Sequence, residues 1–125
     1  MYYYDKYEKG SLEDLEGEIL VDVVAEDRQI DFLTESGDRY RMLHFQDCCE
    51  NVRIEDINGD LDDLIGVPIV QADERTERGS GGPGSQTWTF YHFRTIKGDV
   101  TIRWLGESNG YYSERVYFAK VQEPR

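Results

Sequence analysis

The sequence has few of the features that cross-link a chain or carry it into a membrane. Its only cysteines, Cys48 and Cys49, are adjacent, so they cannot join distant parts of the chain or act as a spaced pair of metal ligands. We expect two small buried hydrophobic side chains at a strand end rather than a vicinal disulfide or reactive thiols. No apolar run approaches the roughly 18 residues that span a bilayer, and the first residues are unlike a signal peptide. We therefore expect a cytoplasmic protein with no membrane segment.

Basic residues are also scarce. The chain has 14 Lys and Arg against 26 Asp and Glu, which gives a formal net charge of −12 over 125 residues. Such a field repels phosphate backbones and attracts basic surfaces. Direct nucleic-acid binding is therefore disfavoured, and a partner protein with a basic surface is favoured. Solubility alone is the alternative role for this charge.

Enough apolar material remains for one core, because hydrophobic residues make up 38% of the chain and aromatic residues 13%. This length is typical of one domain, so we predict a single domain over 1–125. Within it, residues 1–10 are a Tyr-rich leader, and residues 77–86 are predicted to be a flexible Gly-rich loop.

Alternating apolar residues predict a mainly β fold of the α+β class, either a twisted antiparallel sheet or a partly closed barrel with one or two very short helices. Capping residues and terminal glycines predict those helices at 11–17 and 60–66. The strands are expected near 19–24, 30–32, 40–45, 52–54, 69–72, 87–95, 100–105 and 111–121, the last two joined by the Asn109-Gly110 turn.

One acidic segment has part of the pattern of a calcium loop. Asp56, Asn58 and Asp60 recur at alternating positions, as the first oxygen ligands of such a loop do. The sixth position is Leu61 instead of Gly, and the twelfth is Val67 instead of Glu. A helix cap in a solvated turn is the simpler interpretation.

The two histidines offer other chemistry. His44 is close in sequence to Cys48 and Cys49, which would allow a nucleophile pair, and His44 could meet His92 in a metal site. A partly buried structural histidine is the simpler account of His44. We therefore predict no catalytic residue, no metal site and no cofactor.

The stretch from Trp104 to Glu114 combines aromatic, hydroxyl, amide and acidic groups around a tight turn, where a ligand or partner could be recognised. A well-formed hairpin is the alternative. The predicted partner- or ligand-binding residues are Trp104, Glu107, Asn109, Tyr111, Tyr112 and Glu114, together with Asp60, Asp62 and Asp63.

Four blocks in fixed order carry a resemblance to a known family. They are QDCCE at 46–50, EDINGDLDDL at 55–64, TWTFY at 87–91 and SNGYYSE at 108–114. Together they resemble a domain of unknown function found in phages and bacteria, over roughly Leu15 to Val121. The resemblance implies a small protein that is often carried by phages or prophages and acts inside a bacterial cell. It carries over no catalytic residues.

Charge, size and this resemblance lead to one functional expectation. We expect a small non-enzymatic protein that binds and inhibits or modulates a host nucleic-acid-handling or anti-phage defence protein, in the manner of an anti-CRISPR or a nucleic-acid mimic. Unpaired sheet edges would also allow a homodimer.

Two other classes of function stay open. The first is a binder that sequesters a small nucleotide signal, with Trp88, Trp104, Tyr111 or Tyr112 stacking on the base and Arg103 or Arg115 holding the phosphate. The second is a small hydrolase that uses His44 with Cys48 or Cys49.

Overall fold

Two antiparallel sheets form the structure, which is a computed structural model describing residues 6–79 and 84–122. The strands are β1 (Tyr7–Lys9), β2 (Leu20–Ala25), β3 (Gln29–Thr34), β4 (Arg39–Leu43), β5 (Asn51–Asn58), β6 (Gln71–Arg78), β7 (Ser85–Thr95), β8 (Gly98–Ser108) and β9 (Tyr117–Val121). The first sheet has the order β1-β9-β4-β3-β2 and the second the order β5-β8-β7-β6. The predicted mainly β, antiparallel fold is confirmed, with two sheets where a single sheet or partly closed barrel was expected.

The core lies between the sheets because alternate residues of each strand face inward. On β3, Ile30 and Phe32 are buried, and the ring of Phe32 lies 5.4 Å from that of Phe93 on β7. On β8, the indole Nε1 of Trp104 donates to the sulfur of Met42 on β4 at 3.2 Å. These contacts join the two sheets across one apolar layer.

The two predicted helices are single 3₁₀ turns. The N-terminal 3₁₀ turn (Leu12–Leu15) is capped by Ser11, and the central 3₁₀ turn (Leu61–Leu64) is capped by Asp60, whose carboxylate accepts from the Asp62 N–H at 2.9 Å. Acidic side chains follow each cap, where exposed N–H groups favour negative charge. Within the described residues, no helix has the length and apolar character needed to cross a membrane.

Strand β6 is longer than the sequence pattern indicated and begins later. It pairs with β7 from Gln71 to Arg78, whereas the prediction ended at Ala72. Only Ala72 of this strand is buried, because β6 is an edge strand and most of its side chains lie in solvent. The predicted flexible loop therefore overlaps β6 and the start of β7, while residues 80–83 lie outside the described residues.

Strand β9 is shorter than predicted, since it begins at Tyr117 instead of Tyr111. The segment 109–116 leaves the sheet because its own polar side chains satisfy its backbone. The Gly110 N–H donates to Ser108 Oγ, the Tyr111 N–H to Asn109 Oδ1 and the Arg115 N–H to Ser113 Oγ, at 2.9–3.1 Å. Such local bonds compete with strand pairing. Strand β1, in the predicted leader, was also missed.

Candidate functional site

The predicted binding residues fall into two groups at opposite ends of strand β8. The backbone carbonyl of Asp63 accepts from Thr95 Oγ1 at 2.6 Å, beside the turn that leads into Gly98. The segment 109–116 follows the other end of the same strand. Eleven residues of strand separate the two ends, which corresponds to roughly 33 Å. The structure therefore does not form one site from all the predicted residues.

The first group belongs to a larger cluster of carboxylates. The chain after the N-terminal 3₁₀ turn is hydrogen-bonded to the chain after the central 3₁₀ turn: Gly17 N–H donates to the Ile69 carbonyl at 2.8 Å, and Gly66 N–H to the Leu20 carbonyl at 2.9 Å. Both turns therefore lie at the same end of the molecule. We call this surface the acidic end; it consists of Glu13, Asp14, Glu16, Glu18, Asp60, Asp62 and Asp63.

The acidic end has little compensating charge. None of its carboxylates forms an ion pair with a Lys, Arg or His of the residues that the structure describes. Lys97 donates to the Ile65 carbonyl at 2.8 Å, and Lys120 lies 3.5 Å from Asp38.

The side chain of Tyr40 responds to this negative field. Burial raises the pKa of Tyr40, and the carboxylates of Asp14, Asp38 and Glu18 raise it further against the opposing charge of Lys120. Asp14 and Glu18 belong to the acidic end, so its field reaches the edge of the core. Carboxylates held apart from cations in this way keep their charge available to a basic partner.

The second group lies along a groove of about 510 Å³ between the segment 109–116 and strands β6 and β7. Most of its lining residues are polar or charged, which distinguishes it from the apolar layer between the sheets. We call it the polar groove; it is lined by Glu74, Thr76, Arg78, Ser85, Thr87, Thr89, Gly110, Tyr112, Ser113, Glu114, Arg115 and Val116.

Glu114 holds the segment 109–116 against the sheet. Its buried carboxylate accepts from Thr87 Oγ1 at 2.7 Å and from Ser108 Oγ. Tyr112 lines the groove. Tyr111 is 82% exposed, and its ring packs edge-on against the ring of Tyr112, with 5.0 Å between the ring centroids. These residues form a wall whose position depends on the Glu114 bonds.

The remaining predicted residues have other environments. Asn109 caps the Tyr111 N–H at 2.9 Å. Glu107 forms an ion pair with Arg53 at 2.9 Å, and its hydrogen bond from Arg53 lowers the pKa of Glu107. Trp104 is 0% exposed. The predicted contact of Trp104 with a partner or a base is incompatible with that position.

The sequence pattern missed several groove residues. Ser85, Thr87 and Thr89 alternate along β7 and so share one face, but this pattern also fits a hydroxyl stripe facing solvent. Arg115, proposed above for a phosphate, does line the groove. Arg103 instead lies over the ring of Trp88 at 5.3 Å, on the other face of the sheet.

The expectation for the two cysteines is wrong. Cys48 and Cys49 are exposed and joined to each other as a disulfide. They lie in a turn whose backbone is held by Glu50: its carboxylate accepts from the Asp47 N–H at 2.8 Å and the Cys48 N–H at 3.0 Å. The side chain that is buried in this turn is therefore the carboxylate of Glu50, not a thiol.

His44 completes this arrangement. Its Nε2 lies 2.7 Å from Glu50 and its Nδ1 lies 2.6 Å from the carbonyl of Arg115. Burial raises the pKa of Glu50, but the hydrogen bonds from His44 and from the backbone of Cys48 and Asp47 outweigh it and lower the pKa to about 2. Both ring nitrogens of His44 are engaged, and Cys48 and Cys49 are joined to each other, so the pair of His44 with Cys48 or Cys49 that the hydrolase hypothesis requires is not formed.

Metal-ligand types are dispersed in the structure. Across residues 6–79 and 84–122, no three His, Cys, Asp or Glu side chains are grouped as ligands for one ion. Asp60 of the calcium-like segment caps the central 3₁₀ turn, and His92 lies 3.3 Å from Asp99.

Comparison with known protein families identifies a match for most of the chain. Residues 13–118 match the family described as Domain of unknown function (DUF7448). The chain belongs to this family. The match covers nearly the same span as the resemblance noted from the sequence. It confirms the prediction that the chain belongs to a family of domains of unknown function. No curated protein and no solved structure matches the chain significantly.

Proposed function

We propose that this DUF7448 domain is a non-enzymatic protein that binds the basic surface of a host nucleic-acid-handling or anti-phage defence protein, and inhibits or modulates that protein inside a phage-carrying bacterial cell. The observation that supports this proposal is the acidic end. Its carboxylates come from two separate 3₁₀ turns that backbone hydrogen bonds bring together. The chain has a net charge of −12, and the fold concentrates part of that negative charge at one end of the molecule.

The chemistry of this surface suits a site that normally binds phosphates. Carboxylates accept charge-assisted hydrogen bonds from Arg and Lys as phosphate oxygens do. Binding that depends on several exposed charges is fast and strongly weakened by salt. A basic nucleic-acid groove is the partner surface with the matching charge.

The first test uses a variant in which Glu13→Gln, Glu18→Gln and Asp62→Asn are combined. It spares the capping residues Ser11, Asp14 and Asp60, so both 3₁₀ turns should persist. The matched control carries Glu26→Gln, Asp27→Asn and Asp47→Asn, which removes the same charge from exposed positions away from the acidic end.

A basic partner is first captured from bacterial lysate at low salt, purified, and titrated calorimetrically against the three proteins. At roughly 0.5 kcal/mol for each exposed charge, we expect the acidic-end variant to bind about tenfold more weakly and to show a smaller salt dependence. The partner's own nucleic-acid binding should be inhibited by the natural protein. Equal weakening by both variants, or the absence of any salt-sensitive partner, would overturn the proposal.

A further inference from the structure

The inner face of the second sheet changes character along its length. On β7, the inward residues Tyr91 and Phe93 are buried in the core, whereas Thr87 and Thr89 line the polar groove. The neighbouring strand β6 follows the same change, from buried Ala72 to polar side chains. The groove is thus an extension of the core face on which hydroxyl groups replace the apolar residues.

The charges of the groove are balanced, unlike those of the whole chain. Arg78 and Arg115 line it together with Glu74 and Glu114. The carboxylate of Glu114 is already buried and bonded to hydroxyl groups of the protein. Glu74 is exposed, and its carboxylate accepts from Tyr91 Oη at 3.3 Å. Glu74 therefore has further lone pairs that face the groove.

This set of groups matches neutral hydroxyl groups better than a phosphate. A phosphate would lie beside Glu74 and Glu114, whose charges oppose it. A pair of neighbouring hydroxyl groups can donate to a carboxylate and accept from a guanidinium without a net charge to desolvate. The volume of about 510 Å³ is within the usual range for small-molecule sites.

We propose that the polar groove binds the vicinal hydroxyl groups of a sugar, either the ribose of a nucleoside or a unit of an oligosaccharide. Glu74 accepts from the hydroxyl groups and Arg115 donates to them. The ring of Tyr112 packs against the apolar face of the sugar or the base. This binding is separate from the proposed partner binding, because none of the residues of the acidic end lines the groove.

The test is a titration of the isotopically labelled protein, followed by backbone amide NMR shifts. The probes are adenosine, adenosine monophosphate, 2′-deoxyadenosine and maltotriose, each up to about 10 mM, where a ligand with a Kd near 1 mM is about 90% bound. We expect shifts in β7 and the segment 109–116 for adenosine or maltotriose. Adenosine should bind at least about fivefold more tightly than 2′-deoxyadenosine, which lacks one of the two hydroxyl groups.

Three variants locate the contact. Glu74→Gln and Tyr112→Ala should each weaken binding at least about fivefold. Glu77→Gln is the matched control, because Glu77 lies on the same strand opposite Trp88, on the outer face, and should leave binding unchanged.

Three results would overturn the proposal. They are the absence of shifts with adenosine and maltotriose, a requirement for the phosphate of adenosine monophosphate, and equal affinity for adenosine and its 2′-deoxy form. Loss of salt-sensitive partner binding would bear only on the acidic end.

Discussion

The buried carboxylate of Glu50 should make the stability of the fold depend on acid. Its side chain is 0% exposed and its pKa is lowered from 4.5 to about 2. A group whose pKa is lower in the folded state stabilises the protein above its unfolded pKa, and this stabilisation is lost as the pH falls toward the folded pKa. For Glu50, the loss should begin below about pH 5 and continue to about pH 2.

The size of the effect follows from the pKa difference. One pKa unit corresponds to about 1.4 kcal/mol, so the full contribution of Glu50 is about 3 kcal/mol. Integrated between about pH 5.5 and pH 3, the loss is about 2 kcal/mol.

Urea unfolding of the natural protein and of Glu50→Gln at these two pH values measures the effect. At about pH 5.5 the variant should be less stable by about 3 kcal/mol, because His44 loses its buried anionic partner. At about pH 3 the gap should narrow by about 2 kcal/mol. Glu35→Gln, which changes an exposed carboxylate, should leave the pH dependence nearly unaltered. A gap of constant size for Glu50→Gln would refute the reasoning.

Two further pairs of substitutions test the packing of the core and of a turn. Trp104→Ala should lower the free energy of unfolding by about 3–5 kcal/mol because the indole fills the space between the sheets, whereas Trp88→Ala, on the outer face, should cost clearly less; equal losses in urea unfolding would contradict this. Gly59→Ala should cost about 3 kcal/mol, since φ is +112° and a Cβ would lie 2.5 Å from the Asp99 carbonyl oxygen. Gly37→Ala, with φ +98° and open space, should cost about 1 kcal/mol, and thermal unfolding that ranks the two alike would contradict the structure.

The strands that the sequence predicted best are those with a buried alternating face. β7 and β8 were expected near 87–95 and 100–105 because aromatic and β-branched residues recur at every second position. β6 was not predicted beyond Ala72 because the inward residues that follow, Glu74, Thr76 and Arg78, are polar and line the groove, so no apolar alternation marks the strand. The Asn109-Gly110 turn was assigned to a hairpin from its residue types, yet bonds within the segment 109–116 turn the chain away from the sheet.

The candidate sites were predictable only in part. Tyr112 and Glu114 were selected for their chemistry, and both line the groove. Trp104 was selected because tryptophan is common at interfaces, but its inward position on β8 places it in the core. The role of Glu50 depends on contacts with His44 and with its own turn, and no local pattern distinguishes such a carboxylate from an exposed one. Residue type indicates which groups can act, whereas strand register decides which of them reach solvent.

The length of β8 also affects how salt screens the charges of this protein. Its eleven residues place the central 3₁₀ turn roughly 33 Å from the segment 109–116, which is several Debye lengths at physiological ionic strength, where that length is about 8 Å. Mobile counterions therefore mask Asp60, Asp62 and Asp63 from a solute that arrives beside the segment 109–116. Dilution of the salt lengthens the reach of that field, so these three carboxylates should influence a charged solute at the groove only in buffers of low ionic strength.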